Sequence, residues 1–281
     1  MSKSGRFSVT YRGHQISIST RTRITQPDLV LFLHGLGCAK ESFDFAFDDE
    51  LLKEYSICTF DFPGHGQSDS LPAAHVSLEA FADITCEVIR MIAPRRVFLV
   101  CHSMGGAVGL IAAQSLPELA GFVSVEGNLI GRDCGLVSRA TASQLPDDFA
   151  KDGFHWLADE LTSSPHADLR AWGRWYSACE PYGLHATARS LVEWSDRGAL
   201  PGMFRRIPAR AYIHGQNSQL PHLTSFLAGE TSWAVPDSGH FPMLDNPSEF
   251  YPLIAGFIAD GGTGQALTDS GRARPLARVA P

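Results

Sequence analysis

Val97-Phe98-Leu99-Val100-Cys101-His102-Ser103-Met104-Gly105-Gly106-Ala107-Val108-Gly109-Leu110-Ile111-Ala112-Ala113 is an apolar stretch that changes character at its middle. Up to Val100 every position is apolar, the mark of a strand buried on both faces in a parallel sheet. From Ala107 onward the residues suit a helix. Between the two, Ser103 stands on an abrupt strand-to-helix turn that would lift its side chain above the sheet with a helix N-terminus behind it. Such a turn brings its two arms close together and needs small residues two before and two after the Ser. Gly105 meets that need; Cys101 is not Gly but is small enough to fit. Cys101 reads as a packing residue, because a side chain two positions before the apex points away from it.

Outward from this turn, the same buried-strand pattern recurs at Leu29–Leu33, Ile57–Phe60, Phe122–Val125 and Ala211–Ile213, and the sheet pattern continues at Ser232–Val235. Helical periodicity lies between the strands, most clearly in Leu78, Phe81, Ala82, Thr85, Val88, Ile89 and Ile92 behind the candidate N-cap Ser77. Strand and helix in alternation predict an open, doubly wound α/β sheet. Ahead of it, Phe7–Tyr11 and Ile16–Ile18 alternate around Gly13-His14 and predict a β-hairpin. After Val125 the alternation stops, and the interval holds Trp156, Trp172, Trp175 and Trp194 in helical patterns, which predicts an inserted helical lid. The expected division is a core of residues 1–127 and 201–260, a lid of 128–200, and a tail of 261–281 whose Gly, Ala, Arg and Pro content predicts disorder.

Composition narrows the function classes. In 281 residues, 23 Lys and Arg face 30 Asp and Glu, for a net charge of −7, so there is no basic footprint for nucleic acid or an anionic membrane surface. No stretch has the length of apolar sequence that a membrane span requires, and Met1–Phe7 has no apolar signal region, so the cytoplasm is the expected compartment. The six cysteines are scattered, which predicts free thiols. Neither a metal-ligand cluster nor a phosphate loop is visible, and no cofactor is expected; the oligomeric state is not readable.

Three further motifs flank the Ser103 turn: Leu33-His34-Gly35-Leu36-Gly37, Asp61-Phe62-Pro63-Gly64-His65-Gly66-Gln67-Ser68-Asp69, and Ser238-Gly239-His240-Phe241-Pro242. Together they resemble the α/β-hydrolase superfamily, in its order, over roughly residues 7 to 260. The resemblance implies Ser103 as nucleophile on its elbow, His240 as base, and the backbone N–H groups of Leu36 and Met104 as the oxyanion hole, where losing one donor costs about 3 kcal/mol. His34 and His65 read as loop-shaping residues.

The acid departs from the family's commonest pattern. That pattern puts Asp where this chain has Ser218, in Ile213-His214-Gly215-Gln216-Asn217-Ser218, and neither Ser nor Asn offers an imidazolium a charge. Glu126, at the end of the Phe122–Val125 strand, is the candidate for a displaced acid. One subgroup of haloalkane dehalogenases, the zearalenone lactonases and the cofactor-free quinolone dioxygenases carry their acid after the corresponding strand. Asp237 and Asp245, close to His240 in sequence, are the fallback.

The lid aromatics Trp156, Trp172, Trp175 and Tyr176 are the expected substrate wall, suited to a hydrophobic or aromatic group on a small molecule. Arg132 and Arg139 could meet a substrate carboxylate or carbonyl, with surface ion pairs as the plainer reading. The expectation is a cofactor-independent serine hydrolase of a carboxylic ester or lactone. A Ser nucleophile argues against dehalogenase and epoxide-hydrolase chemistry, which uses Asp at the elbow. Two rivals stand beside it: a cofactor-free dioxygenase, which the His102-Ser103 pair and displaced acid also resemble, and a ligand-binding homologue whose triad has decayed at Ser218.

Overall fold

The computed structural model describes residues 2–218 and 220–262, the side chain of Leu136 excepted; most of the expected tail, residues 263–281, lies outside them. Its frame is one eight-stranded sheet in the order β1-β2-β4-β3-β5-β6-β7-β8, with β1 (Lys3–Tyr11), β2 (His14–Arg23), β3 (Asp28–Leu33), β4 (Ser56–Phe60), β5 (Arg96–His102), β6 (Leu119–Val125), β7 (Arg210–Gly215) and β8 (Ser232–Val235). The β1–β2 hairpin turns at Arg12 and Gly13, both at positive φ, and β2 joins β4 antiparallel. From β4 to β8 every pairing is parallel.

The parallel strands read as unbroken apolar runs because both sheet faces are covered. Leu29, Leu31 and Leu33 of β3 point into one core with Leu99 and Cys101 of β5, while Val30 and Phe32 point into the opposite core with Phe98 and Val100. The helices are α1 (Leu78–Ile92), α2 (Met104–Ala112), α3 (Gly135–Ala142), α4 (Pro146–Asp148), α5 (Phe154–Thr162), α6 (Ala167–Tyr176), α7 (Pro181–Asp196), α8 (Leu200–Arg206), α9 (Thr224–Leu227), α10 (Pro242–Asp245) and α11 (Pro247–Ala259). The Ser77 hydroxyl caps α1 by accepting from the Ala80 N–H at 3.2 Å, and Leu78, Phe81, Ala82, Thr85, Val88 and Ile89 are its buried face. Helices α3 to α8 all lie between β6 and β7, so the chain leaves the sheet for this interval and returns to pair β7 beside β6. Among the described residues, no helix is long and apolar enough to cross a membrane.

Candidate active site

Ser103 sits between the last residue of β5 and the first of α2 at φ +52 and ψ −120, a conformation that a side-chain-bearing residue adopts only under strain. Its N–H donates to the Val125 carbonyl of β6 at 2.9 Å, and its carbonyl accepts from Gly106 of α2 at 2.8 Å, so the neighbouring strand and the helical arm of the turn hold it. The following arm passes so near β3 that a Cβ on Gly105 would lie 2.6 Å from the Leu33 carbonyl oxygen and 2.7 Å from that of His34. The small-residue requirement read from the sequence therefore has a physical counterpart. On the other side, Cys101 is fully buried against Gly109, and burial pushes its thiol well above the usual range, which suits packing.

The loop after β3 closes over the same point. A Cβ on Gly35 would lie 3.1 Å from the Ser103 Cβ, which puts the next residue, Leu36, beside the Ser. Met104 opens α2, where the first N–H groups of a helix have no partner within it. His34 is consumed in shaping this loop: its Nε2 accepts from the Phe62 N–H at 3.0 Å while its Nδ1 lies 2.8 Å from the Gly35 carbonyl, and burial lowers its pKa to about 4. Buried His65 is likewise lowered to about 3, with Nδ1 3.2 Å from the Pro63 carbonyl.

Glu126 follows β6 at φ +48, with its N–H donating to Ile213 of β7 at 2.8 Å. This turn delivers a carboxylate that is 3% exposed. Its Oε2 lies 3.4 Å from His240 Nδ1, and its Oε1 accepts from the Gly215 N–H at 2.8 Å. Burial alone would raise this carboxyl, but the His240 ring, the Ser218 hydroxyl and the Gly215 amide outweigh it and hold the group below the ordinary carboxylate range. Ser218, read from the sequence as a vacated acid position, is thus one of the groups that lower the Glu126 carboxyl. Of the fallback acids, Asp245 Oδ2 accepts from the Gly239 N–H at 2.9 Å, next to His240 in the chain, and Asp237 is an exposed turn residue at φ +50.

His240, 45% exposed, is steadied through its backbone. Its carbonyl accepts from His102 Nε2 at 2.8 Å, and since a carbonyl only accepts, His102 carries its proton there. Burial holds His102 well below the usual histidine range. This brace was not legible in the sequence, where His102 is merely the residue before the Ser. A second unread device is Asp61, fully buried: its Oδ2 takes Lys40 Nζ at 2.8 Å and the Gln67 N–H at 2.9 Å, and its Oδ1 takes the Lys40 N–H at 2.7 Å, tying the segment after the Leu36 loop to the β4 loop.

Ser103, His240, Leu36 and His102 share one cavity of about 290 Å³ with Trp172, Phe241, Leu169 and Asp133 among its walls. Of the four lid aromatics expected at the substrate, only Trp172 lines this cavity, and its Nε1–H also donates to the Leu36 carbonyl at 3.0 Å. Tyr176 is fully buried and stacks on Phe154, Trp175 packs against the core formed with α11, and Trp156 is 65% exposed. Trp156 belongs to another helix, α5, while Tyr176 lies one turn from Trp172 on the same face of α6, where both rings approach Gly37, and is buried against Phe154 instead of lining the cavity. Arg139 is bound to Asp196 at 2.7 and 3.0 Å, the plainer of its two readings, and with Arg132 it borders a separate, wider cavity of about 680 Å³. Asp133 was not singled out from the sequence. It belongs to the short helical turn Gly131–Cys134 after β6, and its Oδ1 lies 2.7 Å from His222 Nε2.

Among the described residues, no group of three or more His, Cys, Asp or Glu is placed to hold a metal ion. A strained Ser, a His with its Nδ1 on a buried carboxylate, and a loop with a helix N-terminus beside the Ser form the arrangement used for acyl transfer. The family model of the α/β hydrolase family matches residues 30–253, and the chain belongs to that family. An esterase of Mycobacterium tuberculosis is 25% identical over 255 residues, covering 82% of each chain. A Mycoplasma genitalium protein bearing a provisional esterase/lipase name is 36% identical over 90 residues, so the match spans about a third of that relative's length (34%) and 32% of this chain. Among solved structures, a thermophilic esterase from Thermogutta terrifontis superposes with a TM-score of 0.75 at 20% identity, covering 93% of this chain and all of that one. An N-acyl homoserine lactonase superposes at 0.74 with 18% identity, covering 94% of this chain and 98% of that one. At these identities the superpositions speak to the fold.

Proposed function

We propose that this protein hydrolyses a small carboxylic ester or lactone through a Ser103-His240-Glu126 triad. The observation that carries the reading is the 3.4 Å approach of Glu126 Oε2 to His240 Nδ1 beside a cavity that His240 shares with Ser103. A carboxylate on Nδ1 fixes the tautomer that leaves Nε2 free to accept the Ser103 proton, and it stabilises the imidazolium that forms. Ser103 Oγ then adds to the carbonyl carbon, and the oxyanion is met by the Leu36 and Met104 N–H groups. Collapse expels the alcohol, which takes its proton from His240. Water, deprotonated by the same His240, releases the acid from the acyl-enzyme and restores the Ser.

The cavity sets the scale of the substrate: about 290 Å³ lies at the small end of ligand pockets, and Trp172, Leu169 and Phe241 make much of the wall apolar. A short acyl chain or a small lactone suits it. The names of the relatives point the same way. A panel of p-nitrophenyl esters and aryl lactones, run with and without oxygen beside Ser103→Ala, tests the reading. Oxygen-independent hydrolysis that vanishes in S103A is expected. Turnover that needs oxygen, or no labelling of Ser103 by a fluorophosphonate, would overturn it in favour of a dioxygenase or a binding protein respectively.

A further inference from the structure

The wall of the cavity contains a carboxylate for which the triad has no use. Asp133 lines the space shared by Ser103 and His240, in the first turn after β6, and its side chain is 6% exposed. An ionised carboxylate has about four lone-pair positions to satisfy. Three are filled: Oδ2 accepts from the Leu129 N–H at 2.7 Å and the Ile130 N–H at 2.8 Å, and Oδ1 from His222 Nε2 at 2.7 Å. His222, 16% exposed, comes from the loop after β7, the same loop that places Ser218 against Glu126. A turn cap alone would need only the two bonds to Oδ2. Here a second element braces the other oxygen, in a pocket whose walls combine Leu36, Val137, Leu169 and Phe241 with the polar Ser103, Ser138, His102 and His240.

We propose that Asp133, held by His222, is a specificity-determining acceptor, and that the pocket takes esters or lactones bearing a neutral hydrogen-bond donor, a hydroxyl or an amide N–H, on the part of the molecule that lies against Asp133. The donor fills the remaining position on Oδ1. Neutral donors are favoured over cations because two backbone N–H groups and the His222 ring already answer the carboxylate's charge. An analogue without the donor leaves a desolvated carboxylate position unpaired, and a site built around a hydrogen bond discriminates in this way. The inference rests on the hydrolase reading and deepens it.

The test walks a hydroxyl along the acyl chain of ethyl hexanoate and along the alcohol chain of hexyl acetate, with the methyl ether at each position as a size-matched control lacking the donor. Acid release gives kcat/KM. At one position the hydroxy ester is expected to exceed its methoxy counterpart by about tenfold, the worth of one hydrogen bond to a charged acceptor. Asp133→Asn keeps an oxygen for the Leu129 and Ile130 amides but lacks the charged acceptor, so the hydroxy-to-methoxy ratio should fall toward one. Equal rates for each pair in the wild type, or a ratio that survives D133N, would overturn the assignment. Should D133N fail to fold, the wild-type ratios decide alone. No turnover of these esters, the unsubstituted parents included, together with none of the p-nitrophenyl esters and aryl lactones, would sink the hydrolase reading and the Asp133 assignment with it.

Discussion

The C-terminal edge of the sheet and the helical interval between β6 and β7 orient their side chains by different means. At the sheet edge two members of the proposed triad, Ser103 and Glu126, are each set by a tight turn with a fixed address. Ser103 and Glu126 both sit at positive φ, one residue past β5 and β6, and backbone bonds to the neighbouring strand hold each. In the helical interval, four aromatic residues spread over two helices end in four different environments, from fully buried Tyr176 to 65% exposed Trp156. Strand register confers an absolute position; helical packing confers only a relative one, set by what each face meets. Chemistry that depends on placement within a fraction of an ångström belongs on the first kind of element.

That contrast predicts a steep gradient of mutational effects. If the proposed triad operates, Ser103→Ala should remove ester hydrolysis, a loss of about six orders of magnitude in kcat by analogy with a serine protease that loses its nucleophile, with the far-UV circular dichroism unchanged. Retained turnover by a folded S103A would break the comparison at its strongest point. Next comes Glu126→Gln, which keeps shape and removes charge; kcat should fall by about 10⁴, the cost of turning a triad acid into an amide. Because Ser218 already touches Glu126, adding Ser218→Asp to that variant should return part of the lost rate. A fully active E126Q would show that another group serves His240.

The same contrast explains what the sequence made legible. The sheet was readable because burial on both faces leaves no polar residue in β3 between Leu29 and Leu33, and because a strand, a small-residue turn and a helix rarely adjoin without a reason. Glu126 could be picked out because it is the first polar side chain after a buried strand beside a vacated position. His102, Asp61, Asp133 and the Ser218 hydroxyl could not, because their roles depend on partners 138, 21, 89 and 92 positions away, brought together only by the fold. Trp172 and Trp175 are three positions apart on α6, so they point to neighbouring sides and both pack against the same core, yet only Trp172 also reaches the cavity, a distinction that packing alone makes.

Trp172 lies on the border between the two regions, and its variant sharpens where that border runs. Its indole N–H donates to the Leu36 carbonyl while its ring faces the cavity. Trp172→Phe keeps an aromatic wall and deletes the bond. If the bond positions the Leu36 loop, kcat should fall about tenfold, in line with one neutral hydrogen bond of ~1 kcal/mol plus loosening of the loop, while KM for a short ester changes little. A change confined to KM would make Trp172 a wall and nothing more.

The smallest effect is expected at Trp156. Exposed side chains with no buried partner change stability by within about 0.5 kcal/mol when replaced, and this ring, 65% exposed on α5, lines neither cavity. Trp156→Ser should therefore leave the thermal midpoint and the order of preference among ester chain lengths unaltered, although Trp156 shares its residue type and helical setting with Trp172. Thermal unfolding and the ester series, measured on both variants side by side, supply the check. Altered chain-length preference in W156S would mean that α5 folds over the cavity mouth when substrate binds, so that the lid's orientation is set by the ligand as well as by packing. Unaltered preference would leave α3, through Val137, and α6, through Leu169 and Trp172, as the helices of this interval that wall the cavity, with Trp172 also bonded to the Leu36 loop.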